Sequence, residues 1–154
     1  CISYLTIEHE GAIAPDLRPL MGNRIYGCDD CQLACPWNKY AQRSSLPDFD
    51  ARGPIAQAQL LEVWRWSEAD FERHTEGSAI RRIGHERWLR NVAIALGNAV
   101  RSAPNEQTRV LYLQALAERA DHPSALVQEH RRWAMAQAEV GLTNGPRPPV
   151  PTAG

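Results

Sequence analysis

Apolar positions fall into two regimes along the chain. From Ile55 to about residue 140 they recur every three or four residues, the period that gives a helix one apolar stripe. Ala56, Leu60, Leu61 and Trp64 predict a first helix. Ser67-Glu-Ala-Asp70 reads as a capping box with Asp in place of the usual Glu, opening a short helix that ends near Gly77. Ile80, Ile83, Leu89, Val92, Ala93 and Leu96 form the stripe of a longer one. Asn105 caps the next, with Val110, Leu111, Leu113, Leu116 and Ala117 at core spacing. Asp121 and Pro123 start the last, whose Leu126, Val127, His130, Trp133, Ala134 and Ala138 are expected inside. Residues 1 to 50 hold no sustained period. Pro15 to Met21 predicts one helical turn or two with Asp16 near its start, Gly22-Asn23 and Gly27 mark turns, and Asp29 to Leu33 predicts a single helical turn.

"LRNVAIA" (89–95) aligns with "HRRWAMA" (130–136), sharing Arg90/Arg131, Ala93/Ala134 and Ala95/Ala136. The offset matches the period of HEAT-type solenoids, in which helix pairs stack. An antiparallel bundle with coincident alanines is the alternative. "RSSLPDFDARGP" (43–54) has linker composition, and the proline- and glycine-rich 141–154 is expected to be disordered.

Composition adds little until it is resolved by residue type. Hydrophobic residues make up 44% of the 154, enough for a real core, and the net charge of −1 predicts no polyanion partner. All but one of the 17 basic residues are arginine, however, and arginine suits forked contacts to carboxylate or phosphate. No apolar run approaches the roughly 20 residues needed to span a bilayer, and nothing reads as a signal peptide. "CISYL" at the start continues like the interior of a domain, so a piece of a longer protein is expected rather than a mature lipoprotein.

The chemistry concentrates in "YGCDDCQLACPWN" (26–38). Cys28, Cys31 and Cys35, followed by Pro36, reproduce the second part of the bacterial ferredoxin run C-x2-C-x2-C-x3-C-P. In such runs a short turn aims the early thiolates at one [4Fe–4S] cube, while the cysteine before proline serves a second. Pro36 is expected to end the motif. The run lacks its first cysteine, and Cys1 is the available substitute. Cys1, Cys28 and Cys31 are thus assigned to one cluster and Cys35 to another, with further thiolates expected upstream. A single zinc tetrahedron built from all four, inert thiols and disulfides are the competing readings. The expected fold class is mostly α, with an irregular ferredoxin-like iron–sulfur segment at 1–42, the linker, then a HEAT-like helical-repeat module at 55–140.

"CISYLTIEHEG" (1–11), "RPLMGNRIYGCDDCQLACPWN" (18–38) and "IRRIGHERWLRNVAIALGN" (80–98) together resemble the epoxyqueuosine reductases. The resemblance covers nearly all the chain to about residue 140. It implies a cytoplasmic, monomeric cobalamin enzyme with two [4Fe–4S] clusters and an external electron donor, reducing epoxyqueuosine to queuosine at the tRNA wobble position. It places the proton donor and most of the cobalamin cradle in an N-terminal domain absent here, so no catalytic residue is assigned and this chain alone is expected to be inactive. Ser3 and Asp29 fall where the resemblance brings the corrin near, although each also suits a purely local turn role.

Between Ser78 and Arg101, five arginines (Arg81, Arg82, Arg87, Arg90, Arg101) stand against one acid, Glu86. Such a face can track phosphates, and with the resemblance it points to tRNA contact by Arg81, Arg82, Arg87 and Arg90, with Asn91 and Asn98 adding hydrogen bonds. Solvated arginines and asparagines that bridge helix pairs are the plainer account. Trp88 and Trp133 are expected in the core and Trp37 packed beside the cysteine loop; His9, His85 and His130 are expected to be at the surface or partly buried rather than catalytic. A non-catalytic helical module, stapled by zinc and binding RNA or protein, is the alternative function.

Overall fold

The computed structural model describes residues 1–42, 44–46, 55 and 57–141. The linker, apart from 44–46, and the tail beyond 141 lie outside them, as does Ala56. Among the described residues there are helices and turns and no strand. A π-helical turn, Tyr4–Glu8, is followed by two single α-turns, α1 (Arg18–Met21) and α2 (Asp30–Leu33), and a 3-10 turn, Pro36–Tyr40. The larger helices are α3 (Leu60–Arg65), α4 (Glu68–His74), α5 (Gly84–Arg101), α6 (Glu106–Ala117) and α7 (Ala125–Gly141), with a 3-10 turn at Ala79–Ile83 before α5.

The capping signals act as their chemistry requires. Ser67 Oγ accepts the Asp70 amide at 3.2 Å while Asp70 Oδ2 accepts the Ser67 amide at 3.1 Å, so the shorter Asp still closes the box. Asn105 Oδ1 accepts the Thr108 amide at 2.8 Å and starts α6. One continuous helix from Ser78 is not what forms. Gly84, at φ +72°, separates a 3-10 turn from α5. Pro36 does not simply end the cysteine loop either. With no N–H to satisfy, it occupies the first turn of the next 3-10 segment.

Helix α5 is the axis of the molecule, packed most extensively on α7 and also touching α1, α3, α4 and α6. Its middle is buried all round, from Trp88 to Gly97. Gly97 lets α7 come close: a Cβ there would lie 2.5 Å from Trp133 Cζ3 and 2.8 Å from Ala134 Cα. Trp64, wholly buried, donates its indole N–H to the Ala115 carbonyl at 2.7 Å and ties α3 to α6. The Arg119 guanidinium lies over that indole and donates to the Trp64 and Trp66 carbonyls, both at 2.8 Å.

Several inside–outside expectations change. Val110 and Leu111 are exposed on α6; Ala115 and Leu116 carry its buried face. Trp37 is 73% exposed rather than packed, whereas His130, expected on the inner stripe of the last helix, is fully buried.

Candidate metal centre

The four cysteines are free thiols, with Cys1 and Cys31 exposed and Cys28 and Cys35 half-buried. Their loop is shaped by two left-handed residues that flank Cys28. Gly27 has φ +70° and Asp29 φ +55°, the latter the one non-glycine with positive φ among the described residues. Asp tolerates this region better than most side chains, at a cost of about 1 kcal/mol. The reversal places the Asp29 carbonyl to accept the Gln32 and Leu33 amides, both at 2.9 Å, and so starts α2. Arg24 grips the far side of this turn, donating to both Asp30 oxygens at 2.7 and 3.0 Å; that carboxylate and the nearby Cys28 raise the arginine pKa.

Cys28 meets the first segment at Ser3, whose Oγ lies 3.8 Å from Cys28 Sγ. One turn further on, Thr6 is fully buried and joins the two strands of chain. Its Oγ1 donates to the Ile2 carbonyl at 2.9 Å and accepts the Gly27 amide, also at 2.9 Å. The side chain of Asp29 is exposed.

Helix α5 holds this assembly from beneath. Arg90 is fully buried, and its Nη1 donates to the carbonyls of His9 (2.6 Å) and Gly11 (2.8 Å) while Nη2 donates to that of Leu5 (2.8 Å). Asn91, also buried, donates to the Thr6 and Ile25 carbonyls, both at 2.8 Å, and its Oδ1 accepts from Arg90 Nε at 3.0 Å. Asn98 donates to the Arg18 and Gly22 carbonyls at 2.9 and 2.8 Å. From α7, His130 Nε2 accepts the Ile13 amide at 3.1 Å, which leaves the ring proton on Nδ1 to donate to the Leu126 carbonyl at 2.7 Å. Burial drives the Arg90 pKa down to about 10 and the His130 pKa down to about 4.

The irregular segment thus owes its shape to hydrogen bonds from helix side chains to its carbonyls, because it forms no ladder of its own. This corrects the reading of α5 as a nucleic-acid face. Arg90 and Asn91 point inward with their donors occupied, and neither is open to a phosphate. Arg87 is committed similarly, to the carbonyls of Ile83, Ile7 and Arg82 at 2.7, 3.2 and 3.1 Å. Arg81 and Arg82 are at the surface, in ion pairs with Glu72 and Glu8 respectively. Those two remain of the predicted arginine contacts. Asn91 and Asn98 act as bridging asparagines, the plainer account of them in the sequence, but they join α5 to the irregular segment rather than to a second helix of a pair.

Among the described residues no three Cys, His, Asp or Glu side chains converge on one point, so neither the four thiols of a single tetrahedron nor the set Cys1, Cys28 and Cys31 is gathered by this chain's fold. The donors themselves fit part of an iron–sulfur site: all are thiols, with a hydroxyl beside Cys28 and a left-handed residue, Asp29, between Cys28 and Cys31. Residues 1–38 match the model of the 4Fe-4S double cluster binding domain. That segment is thus similar to double-cluster iron–sulfur domains, and it is seated on a helical module.

The helical part narrows this further. The chain is 66% identical over 137 residues to the epoxyqueuosine reductase of Alicycliphilus denitrificans, which covers 89% of this chain and 38% of that protein. It is 58% identical to that of Escherichia coli, again over 89% of this chain and 34% of the relative. Across that shared stretch the chain is similar to the epoxyqueuosine reductases, and it spans little more than a third of these relatives. A solved epoxyqueuosine reductase bound to a tRNA-Tyr epoxyqueuosine-modified stem loop superposes with a TM-score of 0.77 at 25% identity, over 96% of this chain and 40% of that one. The Bacillus subtilis enzyme gives the same TM-score and identity over 94% and 39%.

Proposed function

We propose that this chain is the C-terminal, cluster-binding and helical part of an epoxyqueuosine reductase, which converts epoxyqueuosine to queuosine at the wobble position of tRNA. The carrying observation is the match of residues 1–38 to a double-cluster model in a chain whose next hundred residues match reductases of this name. Opening and removing an epoxide oxygen consumes two electrons and two protons and releases the oxygen as water. Cys1, Cys28 and Cys31 hold one [4Fe–4S] cluster and Cys35 contributes to a second, with the remaining thiolates supplied by polypeptide outside this sequence. Cobalamin, bound mainly by that other polypeptide, supplies the low-valent metal chemistry at the substrate. An external donor feeds the clusters.

Within this chain the division of labour is concrete. Residues 1–42 carry the ligands, α5 fixes their backbone, and 55–140 form a HEAT-like module; Ala93 and Ala134, equivalent in the proposed repeat, are both fully buried. Ser3 and Asp29 face the cofactor side of the cysteine loop. Arg81 and Arg82 contribute to tRNA contact by exchanging their carboxylate partners for phosphates. The reading places the enzyme in the cytoplasm as a monomer; no helix among the described residues is long and apolar enough to cross a membrane.

Metal and sulfide analysis of the anaerobically purified full-length protein tests this. Iron and acid-labile sulfide at two cubes per chain are expected, together with turnover of epoxyqueuosine-containing tRNA. Zinc alone would defeat the proposal.

A further inference from the structure

The hydroxyl of Ser3 has no part in capping its own turn, although it stands at the turn's start. It points instead at Cys28, Oγ to Sγ 3.8 Å, beside Gly27, where even an added Cβ would stay 3.8 Å from that oxygen. Either atom can donate while Cys28 is a thiol. Once the sulfur is a metal-bound thiolate it has no proton, and only serine can donate. We infer that Ser3 is a hydrogen-bond donor to the Cys28 ligand and sets the reduction potential of the cluster that Cys28 holds.

The geometry favouring this is built from several sides. Thr6 joins the backbone of residues 2 and 27, the residues flanking the Ser3–Cys28 contact, and Asn91 fixes the Thr6 carbonyl from α5. Serine therefore faces the sulfur in a frame that needs no metal to assemble it. Reduction adds negative charge to a cluster and its sulfurs, and a donated hydrogen bond stabilises that charge more in the reduced form. The bond thus raises the potential, which eases reduction by the upstream donor. The inference rests on the iron–sulfur reading above.

Full-length protein, anaerobically isolated, is compared as wild type, Ser3→Thr, Ser3→Val and Ser3→Ala by EPR-monitored redox titration. Thr and Val share a shape and differ in the hydroxyl. Val and Ala are expected to disfavour one-electron reduction of one cluster by about threefold to tenfold, the upper end being about 59 mV downward. Thr should match the wild type, and the cluster that uses Cys35 should not move. Loss of one cluster in Val and Ala but not in Thr also supports the role. Unchanged midpoints in Val and Ala, equal shifts in both clusters, or cluster loss in all three variants would each overturn it. Wild-type protein without iron fails the earlier reading instead, and metal analysis before titration separates the two failures.

Discussion

Replacing Arg90 by methionine is the sharpest test of how the cysteine segment is held. The stem keeps similar length and apolar volume while the guanidinium disappears. Three part-buried carbonyls, of Leu5, His9 and Gly11, lose donors at 2.6 to 2.8 Å from a side chain that is itself fully buried. Hydrogen bonds from a charged donor contribute about 1.5–3 kcal/mol each, a gross loss of about 4–9 kcal/mol. Against this stands a desolvation penalty of several kcal/mol that methionine does not incur. Burial dominates the lowered arginine pKa, so that offset is real. The balance is a destabilisation of about 2–4 kcal/mol, or roughly 4–16 °C in Tm for a chain of this size. Thermal melting by circular dichroism, with amide exchange as the local probe, measures both parts. Exchange should accelerate at the amides of residues 5 to 13 before it does so in α6. A Tm within 2 °C of wild type, with exchange unchanged in that segment, would refute the argument that α5 shapes it.

The other expectations follow from the same contacts. Gly97→Ala drives a methyl into Trp133 and the α7 backbone and should cost about 3 kcal/mol, read as a lower urea midpoint without a change in slope. His130 is neutral in the fold with its pKa lowered from 6.5 to about 4, so the unfolded chain binds the extra proton between those values and stability falls as pH drops through that window. The loss should reach about 3 kcal/mol by pH 4, and His130→Gln should flatten the profile of unfolding free energy against pH over this range. Arg81→Ala and Arg82→Ala should weaken tRNA stem-loop binding, each reducing the salt slope of log K by about 1, while melting temperature stays put. Arg87→Ala should do the reverse, lowering Tm with the salt slope intact.

What the sequence made legible follows from how local each signal is. The Ser67 and Asn105 caps, the helical positions of α3 to α7 and the single turn after Asp29 depend on residues three or four apart, and all were readable. The cysteine spacing was equally local. The arginine helix was misread because sequence reports charge and period, not which carbonyls a distant segment presents. Arg90 and Asn91 face partners some eighty residues away, in a stretch with no periodicity of its own. Burial of a guanidinium against bare carbonyls has no signature at helical spacing. His130 has its inward place from the α7 stripe, but its acceptor role is not legible there, since that depends on the Ile13 amide. Trp37 went the other way; a tryptophan beside a metal motif suggests packing, yet it is largely exposed and meets only the ring of Tyr40, itself exposed, among the ring contacts of the described residues.

One consequence concerns the order in which the site is made. A ligand loop that takes its shape from its metal is unfolded without it, as small zinc modules are. Here the carbonyls of residues 5, 6, 9, 11, 18, 22 and 25 are all held by Arg90, Asn91 and Asn98, side chains of a helix that packs into the main core. The energy that orders the backbone around Cys28 therefore comes from folding of the helical module, and cluster insertion need only order the thiols. Such a frame favours a fixed distance between ligand sulfur and hydroxyl in both oxidation states, because a rigid scaffold reorganises little when an electron arrives. The exposed side of the loop, where Leu33 and Trp37 lie, has no such support from α5. The two sides of one short cysteine run are thus built differently: Cys28 on a frame prepared by the fold, Cys31 and Cys35 on turns whose outer face awaits whatever completes the site.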